Sequence, residues 1–215
     1  MIPILFQDER FVVLDKPPGL PVHPGPRGGP SVEDAFPLLS RRKNGPWLAH
    51  RLDADTSGCL LVALRRAALI AAQAEFAAGR VRKTYWAVVC GVPSTAAGTI
   101  DAPLRRHNSR SGWRMVSDVA GQRAVTDWRL RGQTGDLAWL ELHPRTGRTH
   151  QVRAHCALLG CPIAGDPVYG DAQGPLQLLS RAITLLLDPP LAVTAPPPPH
   201  MRDALARCGC CPNPM

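Results

Sequence analysis

Six short runs of apolar, β-branched and aromatic residues, at 10–15, 59–64, 83–91, 124–132, 137–144 and 182–187, limit what this chain can fold into more than any other feature. Each has the length of a strand, and glycine or proline bounds most of them, so each predicts a β-strand. The first, in "RFVVLDKPPGLPVHPGP", breaks at Pro17-Pro18-Gly19 into a loop. Helical spacing is rarer. "RRAALIAAQAEFAAG" (65–79) puts Leu69, Ala72 and Phe76 on one face and stops at Gly79, while "RTHQVRAHCALLG" (148–160) carries the spine Val152, Cys156 and Leu159 and stops at Gly160. Ser31 ahead of "VEDAFPLLSRR", with Asp34 three residues on, predicts a short capped helix. Strands outnumber helices and do not alternate with them strictly. The expected class is therefore α+β, with a mixed, mostly antiparallel central sheet flanked by helices and loops.

At 215 residues the chain fits one domain, expected over 1–207, with a flexible Cys/Pro-rich tail at 208–215. No run approaches the ~18 apolar residues of a membrane span, and "MIPILFQDERF" lacks the basic start and apolar core of a signal peptide. The expected compartment is the cytoplasm. Cys59, Cys156 and Cys161 sit in or beside apolar segments, where a reduced thiol acts as a small hydrophobe. Cys208, Cys210 and Cys211 lack the C-x-x-C spacing of zinc sites, so no metal is expected. The net charge of +8 makes a polyanion the leading class of partner. It is almost all arginine, recurring at 41–43, 65–67, 79–83, 105–114 and 145–153, as in loops that line one groove.

Several residues could carry chemistry. In "LAHRLDADTSG" (48–58), Asp53 could act as a nucleophile if a nearby arginine kept it ionised; spacing alone favours a cap or turn role. Tyr85 and Tyr169 could stack on a base or move a proton, although a core tyrosine is the commoner case. Arg148 falls at a loop-to-helix junction and can project into a cleft. His150 and His155 are five apart, roughly 140° around a helix, so they do not form a metal pair. "GPRGGP" lacks the ending of a phosphate loop, and Ser57 is not in a G-x-S-x-G elbow.

Four stretches in order resemble the RluA-type family of RNA pseudouridine synthases. They are "LDKPPGLPVHPG" (14–25), "HRLDADTSG" (50–58), "KTYWAVV" (83–89) and "TGRTHQVRAH…GCPIAGDPVYG" (146–170). The resemblance implies the pseudouridine synthase fold and an isomerase that acts on uridines of tRNA or rRNA without a cofactor or bound nucleotide; a monomer is the default expectation. It implies that Asp53 is the catalytic aspartate, that Tyr85 stacks on the target base and that Arg148 pairs with the aspartate. Arg51 would fill the space left by the flipped nucleotide. His50, Thr149, His150, Gln151, Arg153, Arg105 and Arg106 would contact the RNA, with 105–114 as a loop closing over it. Where the family usually has Leu-His-Ala, this chain has Ser180 and Arg181, so substrate contacts there are expected to differ. The separate N-terminal RNA-binding module of many relatives is not expected, since the first motif begins at residue 14. The rivals are a non-catalytic RNA-binding protein with this fold and a hydrolase using Asp53.

Overall fold

A computed structural model describes residues 1–25, 28–41, 44–110 and 112–210. Arg42 and Lys43 of the first arginine cluster, Arg27 of "GPRGGP" and the last five residues of the expected tail, Cys211 included, lie outside them. In chain order the strands and helices are β1 Ile4–Gln7, β2 Phe11–Lys16, α1 Phe36–Leu39, β3 Trp47–Leu48, β4 Ser57–Ala63, α2 Arg66–Ala77, β5 Arg82–Cys90, β6 Ala97–Asp101, β7 Leu104–Ser109, β8 Gly112–Ser117, β9 Val125–Thr134, β10 Leu137–Pro144, α3 Gln151–Leu158, β11 Leu178–Leu185, β12 Leu191–Thr194 and α4 Pro199–Arg207. Where one domain is expected, the chain divides into two compact units, each assembled from two separate segments. One holds Met1–Lys83 and Leu179–Pro198; the other holds Thr84–Leu178 and the chain from Pro199.

The first unit is built around β4, which is buried along its whole length. A strand covered on both faces must be apolar throughout, which is why "CLLVA" does not alternate. β2 pairs with it antiparallel from Phe11↔Ala63 to Lys16↔Gly58, and β1 adds to β2. On its other side β11 pairs parallel, Leu179↔Ser57 and Ser180↔Gly58, and β3 pairs antiparallel at Leu48↔Val62. β12, unexpected from the sequence, completes the group on β11. α2 packs on β3 and β4 and ends at Gly79, which has φ +68°. Its buried face is Ala68, Ala72 and Glu75; the larger Leu69 and Phe76 are only half-buried. At the short helix after Ser31, the Asp34 carboxylate accepts from the Ser31 N–H at 2.9 Å, the acidic half of the expected capping box.

In the second unit β5, β10, β9 and β6 form an antiparallel set. α3 lays Val152 and Cys156 on one face of it with Ala87, Val89, Leu140 and Leu142, and Leu159 packs at the margin, so the expected spine holds. The helix starts at Gln151 rather than 148, because His150 sits in the left-handed region at φ 52° and ends the preceding turn. The basic stretch at 105–114, expected as a loop, is the antiparallel hairpin β7–β8, with Arg106 opposite Met115 and Asn108 opposite Trp113. The proline-rich stretch "APPPP" (195–199) leads into α4, which the sequence does not signal, with Pro199 at its first position and Met201 and Leu205 buried. Proline fits a helix start because the N–H it lacks would have no helical partner. Cys208 is buried, and the Cys210 N–H bonds to the Leu205 carbonyl, so the described start of the tail belongs to the end of this helix.

Each unit contains a local constraint of its own. Gly58 has φ +98°, and a Cβ there would collide with the Ser180 carbonyl and the Leu179 side chain. The Ser180 hydroxyl donates to the Cys59 carbonyl at 3.2 Å and the Arg181 guanidinium donates to the Ala195 carbonyl. The departure from the family pattern is therefore absorbed inside the sheet. In the second unit Arg153 forms a two-pronged pair with Asp166, both bonds 2.8 Å, with side-chain exposures of 4% and 0%. Burial alone would raise the Asp166 carboxyl, but Arg153 and the N–H groups of Val168 and Tyr169 outweigh it and hold the group below its usual range.

Gly58→Ala is expected to destabilise the protein by about 1–3 kcal/mol in urea unfolding, since it meets both a clash and an unfavourable φ. Arg153→Met leaves a buried carboxylate without its partner and is expected to cost about 3–5 kcal/mol. A depressed carboxyl adds stability above its unfolded pKa of 3.8, and that share is lost as pH falls through its lower folded value. Acid titration of wild type against Asp166→Asn, followed by circular dichroism, should show a steeper loss below about pH 4 in wild type than in the variant.

Candidate active site

Asp53 lies in the first unit on the short turn between β3 and β4. The turn closes where the Thr56 N–H donates to the Asp53 carbonyl at 3.2 Å, and Leu52 and Thr56 are buried on either side. The Asp53 side chain is thus carried on a turn whose flanks are locked, itself half-buried, next to the exposed Arg51. Beneath it runs the end of β2. The fully buried Lys16 ammonium donates to the carbonyls of Ala54 (2.6 Å), Pro17 (2.8 Å) and Leu20 (2.8 Å). Burial pushes Lys16 down to about 8, while the negative charges of Asp55 and Asp53 pull the other way. It stays an ammonium at neutral pH and puts a fixed positive charge under the Asp53 turn. The sequence reading passed over Lys16, although a lysine ending an otherwise apolar strand was a visible signal.

His50, expected to touch RNA, is occupied within the first unit. Its Nε2 accepts from the Leu61 N–H at 3.0 Å, and its ring lies 5.4 Å from Phe76. Burial, reinforced by Lys83, pushes it down to about 4, so it is a neutral acceptor that ties the stretch before Asp53 to β4. Lys83 is likewise pushed down by burial, to about 8.

Tyr85 and Arg148 belong to the second unit. Tyr85 stands in β5 opposite Leu142, half-buried against the core. Arg148 is exposed on the turn before α3, and its Nε donates to the Arg123 carbonyl at 3.0 Å. Gln151 builds that turn. Its Oε1 accepts from the Arg148 N–H (3.0 Å) and the Thr146 hydroxyl (2.7 Å), and its Nε2 donates to the Val125 carbonyl and the Thr126 hydroxyl. With every polar atom engaged inside, Gln151 positions Arg148 rather than meeting a ligand. Arg153, also expected at the substrate, is the buried partner of Asp166. His155 is buried as well, between the Thr126 hydroxyl (2.9 Å) and the Ala102 carbonyl (3.1 Å).

The remaining candidates come together. Arg105, Arg106, Arg148 and Thr149 line one pocket of about 330 Å³ with Trp113 and Met115. His150 joins its rim by stacking on Trp113, rings 4.7 Å apart and 24° from parallel, and its Nδ1 lies 3.3 Å from the Tyr169 hydroxyl. Trp113 was not singled out from the sequence; the alternation within "SGWRM" becomes informative only once the stretch is known to be a strand. The thiols of Cys59, Cys156 and Cys161 are buried, and burial pushes Cys59 up to about 12. Among the described residues no group of three His, Cys, Asp or Glu side chains could hold a metal, and no helix is long and apolar enough to cross a membrane.

Comparison with known proteins agrees with this arrangement of motifs. Residues 10–158 match the family model described as RNA pseudouridylate synthase. An RNA pseudouridine synthase of Zymomonas mobilis is 40% identical over 209 residues, covering 93% of this chain and 95% of that protein. The ribosomal large subunit pseudouridine synthase D of Xanthomonas campestris is 42% identical over 174 residues, covering 79% of this chain but only 52% of that relative. The solved structure of human RNA pseudouridylate synthase domain containing 4 superposes with a TM-score of 0.83 at 30% identity, covering 98% of this chain and 94% of that one. The chain belongs to the RNA pseudouridylate synthase family, in its RluA-type branch, whose members are isomerases that convert uridine to pseudouridine in RNA.

Proposed function

We propose that this protein isomerises specific uridines of tRNA, rRNA or both, with Asp53 as the nucleophile and no cofactor. The observation that carries the reading is the Asp53 turn itself. It lies inside the matched stretch and is pinned from below by a buried ammonium, an expensive feature for a turn with only a structural task. Substrate and product contain the same atoms, so no oxidant, reductant or second substrate is required. The Asp53 carboxylate attacks the target nucleotide and the C1′–N1 bond breaks. The detached base turns, a C1′–C5 bond forms as the bond between the Asp53 oxygen and the nucleotide breaks and frees the carboxylate, the C5 proton leaves and N1 gains one.

The other residues take supporting roles in this reading. Arg148 pairs with the carboxylate and keeps it ionised and aimed. Tyr85 stacks on the target base and assists removal of the C5 proton. Arg51 fills the gap left in the RNA stack. Extracting the nucleotide costs a few kcal/mol, offset by stacking and by phosphate contacts of Arg105, Arg106, Thr149 and His150. The protein acts as a monomer in the cytoplasm, a reducing compartment that suits its buried free cysteines.

Pseudouridine mapping by carbodiimide-dependent primer extension, on total tRNA and rRNA from cells with and without the gene, tests this reading. Loss of one or a few signals is expected; persistence of all of them, together with inactivity of the purified protein on unmodified RNA, would sink it. Asp53→Asn is expected to lower turnover on the order of 10⁴-fold or more. Its RNA affinity, measured by filter binding, should be nearly unchanged. Lys16→Met leaves three buried carbonyls without their donor and is expected to cost about 3 kcal/mol of stability. At a temperature where this variant stays folded, kcat should fall more than KM rises, because the turn carrying Asp53 loosens.

A further inference from the structure

The pocket in the second unit contains more than phosphate contacts need. The hairpin β7–β8 does not swing free. Leu104 is buried with Ala124 and Ala154, and Met115 and Tyr169 pack against them. The Met115 N–H donates to the Tyr169 hydroxyl at 2.8 Å, so the strand bearing Trp113 is fastened to the segment after α3. Trp113 itself is 37% exposed, although it could have been covered by its own hairpin. The Arg106 guanidinium lies 4.7 Å from its ring centroid, and its Nε donates to the Asn108 side-chain oxygen at 3.2 Å. Arg105 is exposed and pairs with the Asp118 carboxylate, also at 3.2 Å.

An exposed indole fixed by a second ring, beside exposed guanidinium groups, combines a stacking platform with a charge that tracks a phosphate backbone. A volume of about 330 Å³ is on the scale of one nucleotide. Tyr85, to which stacking on the target uridine is assigned, is not among the lining residues. We propose that this pocket takes an unpaired nucleotide of the RNA other than the target uridine, its base on Trp113 and its phosphate on Arg106 and Arg105, and so contributes to target choice. The proposal rests on the RNA reading above but not on catalysis. The base replaces the Arg106 guanidinium over the indole, and the freed arginine turns to the phosphate. Arg148 and Thr149 line the same pocket, which links its occupant to the turn that carries Arg148.

The test uses two probes on the full-length protein, by fluorescence anisotropy at fixed low salt. Poly(A) offers bases and phosphates but no uridine, and heparin offers charge without bases. Trp113→Ala is expected to weaken poly(A) binding on the order of 10-fold and leave heparin binding unchanged, while Trp113→Phe, which keeps a ring, stays near wild type. Equal poly(A) affinity of Trp113→Ala and wild type would overturn the proposal. So would an equal loss for both probes, which would signal lost charge or lost fold, and so would a Trp113→Phe variant as weak as Trp113→Ala. Neither probe depends on turnover. A Trp113-dependent preference for poly(A) in a protein that makes no pseudouridine would leave this pocket standing and remove the isomerase reading alone.

Discussion

The buried ammonium of Lys16 organises the first unit. Removing an ion of this size from water costs several kcal/mol after relaxation, so Lys16 is tolerated only because three carbonyls accept its three protons and two aspartates lie within its field. Each of those acceptors has a structural consequence. Bonds to Pro17 and Leu20 curl the chain after β2 back on itself, and the bond to Ala54 holds the Asp53 turn against the strand end. β2 in turn is in register with β4 through Lys16↔Gly58, so the lysine, the glycine and the turn are mutually located. The parallel contact of β11 at Gly58 leaves no room for a side chain there.

The second unit solves a comparable problem with amide and guanidinium chemistry. Gln151 satisfies the turn carrying Arg148, and Arg153 satisfies Asp166, which in turn collects the N–H groups of Val168 and Tyr169. Tyr169 then reaches the β7–β8 hairpin. One motif, "TGRTHQVRAH", is thus divided between two tasks. Gln151, Arg153 and His155 are consumed in building the platform, and Arg148, Thr149 and His150 are what the platform presents. Such buried polar networks are stable only when every member is satisfied, which ties the exposed residues to the internal ones.

Much of the fold and the candidate site was readable from the chain. The apolar runs gave rise to β2, β4, β5, β9, β10 and β11, and the spine of α3 packs as its spacing implies. Misses fell where local pattern is weak or deceptive. The 105–114 hairpin is rich in charge because both its faces are largely solvated, so no period-2 apolar signal marks it. α4 begins on the last of four prolines in a row, and its apolar anchors are the buried Met201 and Leu205. Among site residues, His50, Gln151 and Arg153 were expected at the RNA because they lie within the motifs that carry the resemblance. Polarity alone does not distinguish a group facing substrate from one satisfying a buried carbonyl or carboxylate.

The sequence by itself determined the strand-dominated class, the basic character that points to a polyanion, and the ordered motifs that place the chain in its family. These properties follow from composition, periodicity and residue order, all of which are local or linear. Only the tertiary structure decided which polar residues are spent inside and which are left to act, because that depends on partners distant in sequence. Lys16 meets Ala54 across 38 residues, His155 meets Ala102 across 53, and the Met115 N–H meets Tyr169 across 54. A buried charge or donor must find such a partner, and no window along the chain contains it.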